Sequence, residues 1–130
     1  QNFSFNFDSA AGIIYTVDVT KPKGEKVTIT SMADGTPFSL DKIYKVALNS
    51  YRGNGGGELL TKGSGISQDE LKDRILYSTD KDLRYYLMQY IEKKGVIEPH
   101  ALGQWKFIPE EWVEPAAKRD YEYLFGKVEK

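Results

Sequence analysis

Apolar and polar positions alternate through much of the first fifty residues, which is the pattern of half-buried β-strands. The alternation predicts strands over residues 2–7, 13–19, 26–32 and 44–49. Turn signals separate them, including Lys-Pro-Lys-Gly at residues 21–24 and the pair Asp34-Gly35, which favours a tight hairpin. Because such short turns join antiparallel neighbours, we expect mostly antiparallel pairing in this half of the chain.

The second half of the chain changes to a helical period. Ser67 and Glu70 have the spacing of a capping box, which predicts a helix start there. Leu71 and Ile75 would then lie on one face of that helix.

A longer helix is predicted to begin after Asp82 and to end at Gly95, a residue type that commonly closes helices. It carries an apolar stripe, expected to pack on the sheet, formed by Leu83, Leu87, Tyr90 and Ile91. Residues 104–108 predict a last short strand, and residues 110–130 a terminal amphipathic helix. The sequence therefore predicts an α+β fold, in which an antiparallel or mixed sheet from the N-terminal half packs against two or three helices from the C-terminal half.

Composition excludes several classes of function. The chain has 130 residues with 18 basic and 19 acidic side chains, and it has no basic stripe of the kind that binds nucleic acid. No apolar run reaches the length of a membrane span. Cysteine is absent and His100 is the single histidine, so we expect no metal centre and no cofactor within this chain.

The most informative stretch is YKVALNSYRGNGGGELL, residues 44–60. We expect its strand to stop at Asn49 and to open into a glycine-rich loop with Tyr51 at its mouth. This loop is neither a phosphate-binding P-loop nor a dinucleotide fingerprint, because the third glycine of the latter would fall on Glu58. The residues leave two interpretations open, which are a flexible turn and a small-molecule site centred on Tyr51.

Three segments together resemble a known family. YKVALNSYRGNGGGELL is similar to the closing motif of the C-terminal, substrate-binding domain of the 5′-nucleotidase, UDP-sugar hydrolase and 2′,3′-cyclic phosphodiesterase family. FDSAAGIIYTVDVTKPKGEKV, which starts at residue 7, and DLRYYLMQYIEKKGVIEP, which starts at residue 82, resemble other parts of the same domain in the same order. The similarity extends over about residues 3–108.

The resemblance implies a nucleotide-binding role. In that family the base lies between two aromatic rings, which by position would be Phe7 and Tyr51 here. Hydrolysis would belong to a separate metallophosphatase domain or subunit with two divalent metals. The resemblance also implies a set of further substrate-binding residues, namely Ser9, Asn49, Asn54, Gly55, Gly56, Gly57 and Glu58.

The chain departs from the family pattern at several positions. Gly57 stands where the family carries an aspartate for the ribose, and Glu58 follows as a replacement. Ser9 stands where the family can use an amide side chain on the base. The family's substrate-binding arginines, its metal domain and the first part of its C-terminal domain would precede Gln1. We therefore expect residues 1–108 to be the second half of that domain and residues 109–130 to be a helical extension.

The expected function is the nucleotide-binding specificity portion of a 5′-nucleotidase-type hydrolase of nucleotide catabolism, inactive by itself. The expected location is the periplasm, the cell surface or the exterior. The alternative is a structural or partner-binding module without nucleotide binding, and a homodimer would then form through the face that the missing half leaves. Single-stranded nucleic-acid binding is motivated only by the seventeen aromatic residues and is opposed by the near-zero charge.

Overall fold

The computed structural model describes residues 7–126. These residues form two compact units. The helical unit contains Phe7 and Ile43–His100, and the sheet unit contains Asp8–Lys42 together with residues 101–126. The chain alternates between the two units, so the sheet unit is assembled from segments far apart in sequence.

The sheet unit contains a three-stranded mixed sheet. Its strands are β1 (Ile13–Asp18), β2 (Val27–Met32) and β3 (Trp105–Ile108), in the order β2-β1-β3. Strand β1 pairs antiparallel with β2, with a bulge in the register between Ile14 and Tyr15, and parallel with β3. The α+β class and these three strands confirm the sequence predictions, whereas the strand predicted over residues 2–7 lies, apart from Phe7, outside the described residues.

Tyr15 forms the centre of this sheet unit. Its side chain is 6% exposed, and its hydroxyl accepts a hydrogen bond of 3.1 Å from the backbone N–H of Ala10. Its ring stacks on Trp105 of the neighbouring strand at a centroid distance of 5.9 Å. Aromatic pairs of this kind stabilise adjacent strands beyond the area they bury.

A turn is present at Asp34-Gly35, but the expected tight hairpin is not formed, because no strand after this turn pairs with β2 among the described residues. The Asp34 carboxylate accepts hydrogen bonds from the Thr36 hydroxyl at 2.6 Å and from its backbone N–H at 2.9 Å. These donors lower the pKa of Asp34 below its ordinary value, because they stabilise the charged carboxylate. The chain is thereby directed away from the end of β2 by a local interaction.

The terminal helix α4 (Glu110–Phe125) follows β3 directly, as the amphipathic pattern predicts. Lys106 on β3 and Glu110 in the first turn of α4 form an exposed ion pair of 2.6 Å. The boundary predicted at residue 108 between domain and extension stays a prediction.

The helical unit contains three α-helices, which are α1 (Ser50–Gly53), α2 (Gln68–Asp73) and α3 (Leu83–Lys94). The capping box of α2 is formed, since the Ser67 hydroxyl accepts from the Glu70 N–H while the Glu70 carboxylate accepts from the Ser67 N–H at 2.9 Å. Asp82 caps α3 through a 3.0 Å hydrogen bond from Tyr85 N–H, and Gly95 ends that helix. These predicted helix boundaries are confirmed.

Two predictions for the helical unit are wrong. Residues 44–49 carry no strand within the described chain, because a strand needs a partner ladder and none of the three described strands pairs with this segment. Helix α2 ends at Asp73, so Ile75 does not share a helix face with Leu71. The stripe on α3 is partly exposed, and its packing on the sheet stays a prediction. Its members, each about half exposed, are Leu83, Leu87, Tyr90 and Ile91.

Hydrophobic burial is sparse in both units. Among the described residues, Tyr15 and Leu71 are the hydrophobic side chains that are buried. Large apolar side chains such as Ile43 and Val46 lie almost wholly in solvent, at 95% and 73% exposure. A chain of this length can bury a substantial core, so most of its apolar surface lacks a cover within the described chain.

Candidate functional site in the helical unit

The glycine-rich segment is a series of helical turns and not the open loop that the sequence predicts. Helix α1 is followed by a 3₁₀ turn over Gly56–Glu58 and a π-helical turn over Leu59–Gly63. Asn49 starts the series, because its side-chain oxygen accepts a 2.8 Å hydrogen bond from the Arg52 N–H and caps α1. Asn49, predicted as a ligand contact, therefore uses this oxygen to begin the helix.

Tyr51 lies within α1, next to the buried Arg52. The Tyr51 side chain is 61% exposed, whereas Arg52 is 6% exposed. The guanidinium carbon of Arg52 is 5.3 Å from the centre of the Tyr51 ring, within the range of a cation–π interaction. Arg52 Nη1 also donates a 3.1 Å hydrogen bond to the Gly56 carbonyl. A single buried cation thus contacts both the exposed ring and the glycine-rich turn.

Two glycines are required for different physical reasons. At Gly56, an added Cβ would lie 2.5 Å from Cε2 of Tyr51, so only a residue without a side chain lets the ring approach the backbone. Gly57 has a φ of 69°, a left-handed conformation that glycine adopts at little cost. Gly56 therefore lies directly against the Tyr51 ring, which is still largely exposed.

Helix α2 supports the turn from another side. Gln68 Nε2 donates a 3.0 Å hydrogen bond to the backbone carbonyl of Asn54. An added Cβ on Gly55, whose φ is 89°, would lie 2.6 Å from Gln68 Oε1 and 3.2 Å from Cδ1 of the buried Leu71. Backbone and side-chain contacts therefore hold this turn at several points.

Glu58, the proposed replacement for the family's ribose-binding aspartate, lies on the surface of this unit. Its carboxylate forms an ion pair of 2.6 Å with Lys62, and both side chains are largely in solvent. Its backbone has a φ of 62°, which non-glycine residues adopt at a cost of about 1 kcal/mol or more. Exposed ion pairs of this kind contribute little, so Lys62 does not prevent the carboxylate from turning to a ligand.

The remaining predicted residues are distributed over the two units. Phe7 belongs to the helical unit and is about half exposed. Ser9 belongs to the sheet unit, where it lines a groove of about 400 Å³. The other residues of that groove are Ala10, Ala11, Ala101, Leu102, Gly103, Gln104 and Trp105. The site residues from Asn49 to Glu58 are contiguous in the helical unit, whereas Ser9 contributes to a separate surface of the sheet unit.

The segment that carries this site is similar to a known protein family. Residues 2–62 match the model of the "5'-nucleotidase, C-terminal domain" family. Residues 2–62 belong to the 5′-nucleotidase C-terminal domain family. The helical turns from Asn49 to Lys62 are therefore part of this domain, as the resemblance of the glycine-rich stretch implies.

Two curated relatives cover most of the chain. The chain is 31% identical over 121 residues to the trifunctional nucleotide phosphoesterase protein YfkN of Bacillus subtilis, across 84% of this chain. It is 29% identical over 121 residues to a 2′,3′-cyclic-nucleotide 2′-phosphodiesterase/3′-nucleotidase of Haemophilus influenzae, across 82% of this chain. It spans only 8% and 17% of the lengths of these relatives. No solved structure is significantly similar.

Side chains that could hold a metal ion are not clustered in the described part of the chain. In residues 7–126, no group of three or more histidine, aspartate or glutamate side chains is placed to hold a metal ion. His100 Nδ1 lies 3.2 Å from the Glu98 carbonyl oxygen, within a local contact. None of the helices in residues 7–126 is both long and apolar enough to cross a membrane.

Arg52 and Gln68 are absent from the site residues predicted from the sequence. Arg52 follows Tyr51 directly and lies three residues after Asn49, which is the spacing of a helix cap to its first-turn donor. That spacing is a signal for α1 that the glycine-rich composition obscures. The contact between Gln68 and Asn54 joins residues fourteen positions apart and has no local sequence signal.

Proposed function

We propose that this chain is the nucleoside-binding portion of a nucleotide phosphoesterase and that it stacks a nucleobase between Phe7 and Tyr51. The observation that carries the proposal is the exposed Tyr51 ring, which Arg52 and Gly56 hold within the matched family segment. Stacking of a base on an aromatic ring contributes roughly 1–3 kcal/mol and accepts any base with a flat π-face. A pre-positioned ring avoids the entropic cost of ordering it on binding.

The printed names of both relatives support a nucleotide ligand, since one is a nucleotide phosphoesterase and the other acts on cyclic nucleotides and as a 3′-nucleotidase. Hydrolysis is assigned in this proposal to a metallophosphatase domain outside this chain. The residues from 7 to 126 do not fit a metal centre, so no catalytic step is assigned to them. In this proposal these residues hold the nucleoside while the other domain carries out hydrolysis. The protein as a whole is proposed to be exported.

Glu58 is proposed as the ribose contact. Its exposed carboxylate is one residue beyond Gly57, and it offers two acceptor oxygens to the ribose hydroxyls once Lys62 is displaced. Asn54 is exposed beside the same turn, with its carbonyl engaged by Gln68 and its side chain available to a ligand. These polar groups would orient the nucleoside after stacking has placed the base.

A second role is favoured by the exposed apolar surface. We propose that the side chains around Ile43 and Val46 are covered by the preceding half of the domain in the intact protein, and by a second copy when this chain is isolated. Apolar side chains recur along this segment at Ile43, Val46 and Leu48, and each is exposed within the described chain. This role as an interface is compatible with nucleoside binding. If the chain does not bind nucleosides, the interface is the proposed role that remains.

Calorimetric titration of adenosine and AMP into the 130-residue chain tests the binding proposal. Tyr51→Ala should weaken adenosine binding by about tenfold or more, because it removes one stacking face. Tyr51→Phe is the matched control and should bind within about threefold of the original chain, since the ring remains. Equal affinity of the original chain and Tyr51→Ala would refute the stacking role of this residue.

A further inference from the structure

Arg52 is the buried charged side chain of the described residues, and its position is connected to the exposed ring beside it. Its guanidinium is 5.3 Å from the Tyr51 ring centre and 3.1 Å, through Nη1, from the Gly56 carbonyl oxygen. Its own N–H is held by the Asn49 cap. Burying a cation is costly unless it is hydrogen-bonded, and the bond to Gly56 holds the Arg52 guanidinium beside the exposed Tyr51 ring.

We infer that Arg52 is the positioning and selectivity residue of the Tyr51 stacking face, an inference that rests on the proposed function. The planar guanidinium limits the ring from one direction, and the Gly56 backbone limits it from another. Because Arg52 is anchored to Gly56, the ring and the glycine-rich turn keep a fixed relationship. Tyr51 is thereby presented to a ligand in one orientation although most of its surface is in solvent.

The cation also changes what the ring prefers to stack on. A guanidinium near an aromatic ring is attracted to the negative electrostatic potential of the ring's π-system and polarises it. A ring whose π-density is withdrawn in this way stacks better with an electron-rich, extended partner. Purine bases have a larger and more electron-rich π-surface than pyrimidines. Arg52 is therefore expected to favour purine nucleosides over pyrimidine nucleosides, whereas an uncharged residue at this position would reduce the preference.

The test compares adenosine and uridine affinities of the 130-residue chain with those of Arg52→Met and Arg52→Lys. Methionine keeps an extended side chain but removes the charge and the hydrogen-bond donors. Arg52→Met should lose about three- to tenfold in adenosine affinity and less in uridine affinity, so that the ratio between the two falls. Arg52→Lys keeps the charge and should recover the ratio in part.

Arg74→Met is the matched control, because Arg74 is an exposed arginine of the same unit that pairs with Glu70 at 3.8 Å. It should leave both affinities and their ratio unchanged. NMR provides a readout that needs no ligand. The ring current of Tyr51 should change the chemical shifts of the Arg52 guanidinium protons. This change in chemical shift should vanish in Tyr51→Ala and persist in Tyr51→Phe.

The outcomes separate this inference from the proposed function. If the original chain binds neither nucleoside, the proposed function fails. The ring-current shift of the Arg52 guanidinium protons then decides alone whether Arg52 positions the ring. If Tyr51→Ala abolishes binding while Arg52→Met keeps both affinities and their ratio, the proposed function holds and the role of Arg52 is refuted. If Arg52→Met does not fold, Arg52→Lys carries the test, and a ratio of adenosine to uridine affinity unchanged from that of the original chain would refute the inference.

Discussion

The guanidinium carbon of Arg52 lies 5.3 Å from the centre of the Tyr51 ring, so a buried cation stands beside a side chain that is mostly in solvent. This relationship makes the glycine-rich stretch a rigid platform. Glycine at position 56 allows the ring to reach the backbone, and the cap on Asn49 fixes where α1 begins. The platform accounts for an aromatic residue being held in place without being buried.

Replacing Gly56 by alanine should disturb this platform. The added Cβ would lie 2.5 Å from a Tyr51 ring carbon and 2.6 Å from the Tyr51 carbonyl oxygen, so ring or backbone must move. We expect a loss of about 1–3 kcal/mol in the free energy of unfolding. Gly53→Ala is the control, because nothing lies within 4 Å of its added Cβ and alanine favours helix. Urea unfolding of both variants measures the difference, and equal stability would contradict the close contact.

Leu71 should contribute most to the stability of the helical unit, since it is the buried apolar side chain of that unit. Leu71→Ala should cost about 2–5 kcal/mol of unfolding free energy. Leu76→Ala, which truncates the same residue type at an exposed position, should change it by no more than about 0.5 kcal/mol. Denaturant midpoints compare the two variants. A larger loss for Leu76→Ala would show that the packing of this unit is misassigned.

Ser67 should control the titration of Glu70. The Ser67 hydroxyl and N–H donate to the Glu70 carboxylate at 2.7 and 2.9 Å, which lowers the pKa of Glu70 below its ordinary value. A depressed folded pKa stabilises the chain above the unfolded pKa, and this stabilisation is lost as the pH falls through the folded pKa.

Ser67→Ala should therefore raise the pKa of Glu70 toward its ordinary value and make stability less dependent on pH in the acidic range. NMR titration of the Glu70 side-chain carboxyl measures this pKa. Ser64→Ala is the control, since the Ser64 hydroxyl donates to the Leu59 carbonyl at 3.4 Å and not to a carboxylate. An unchanged Glu70 pKa in Ser67→Ala would contradict the capping box.

The exposed apolar surface should cause the isolated chain to associate. Ile43 and Val46 are among the most exposed apolar side chains of the helical unit. Light scattering of the 130-residue chain should give a mass near twice its 14.8 kDa. The double replacement Ile43→Ser and Val46→Ser should lower that mass toward the mass of the monomer, because it removes apolar area that the second copy would cover. A monodisperse monomer for the original chain would count against this surface as an interface.

Local signals account for what the sequence predicts correctly. The helix ends are set by contacts within a few residues. Ser67 and Glu70 form the capping box of α2, whereas Asp82 and Gly95 cap opposite ends of α3, and these predictions are confirmed. The strands β1 and β2 follow from alternation and from the turn signal at residues 21–24 between them, which is also a local feature.

Features that depend on distant partners could not be predicted in this way. The alternation from Tyr44 onward indicates a strand, but pairing in a sheet is decided by another segment. The guanidinium position of Arg52 depends on how the glycine turns bring Gly56 back to it, and composition shows only that glycines are present. The family resemblance suggested Tyr51, whereas the residue that holds it came from the structure.

The most direct test of the stacking proposal is the NMR detection of contacts between bound adenosine and the Tyr51 ring. Adenine ring protons near an aromatic face should show nuclear Overhauser effects to the Tyr51 ring protons and shifts caused by its ring current. The same spectra of Tyr51→Phe should keep the contacts, and those of Tyr51→Ala should lose them. If adenosine binds without any contact between adenine and Tyr51, the proposal that this ring forms one face of the base site is wrong.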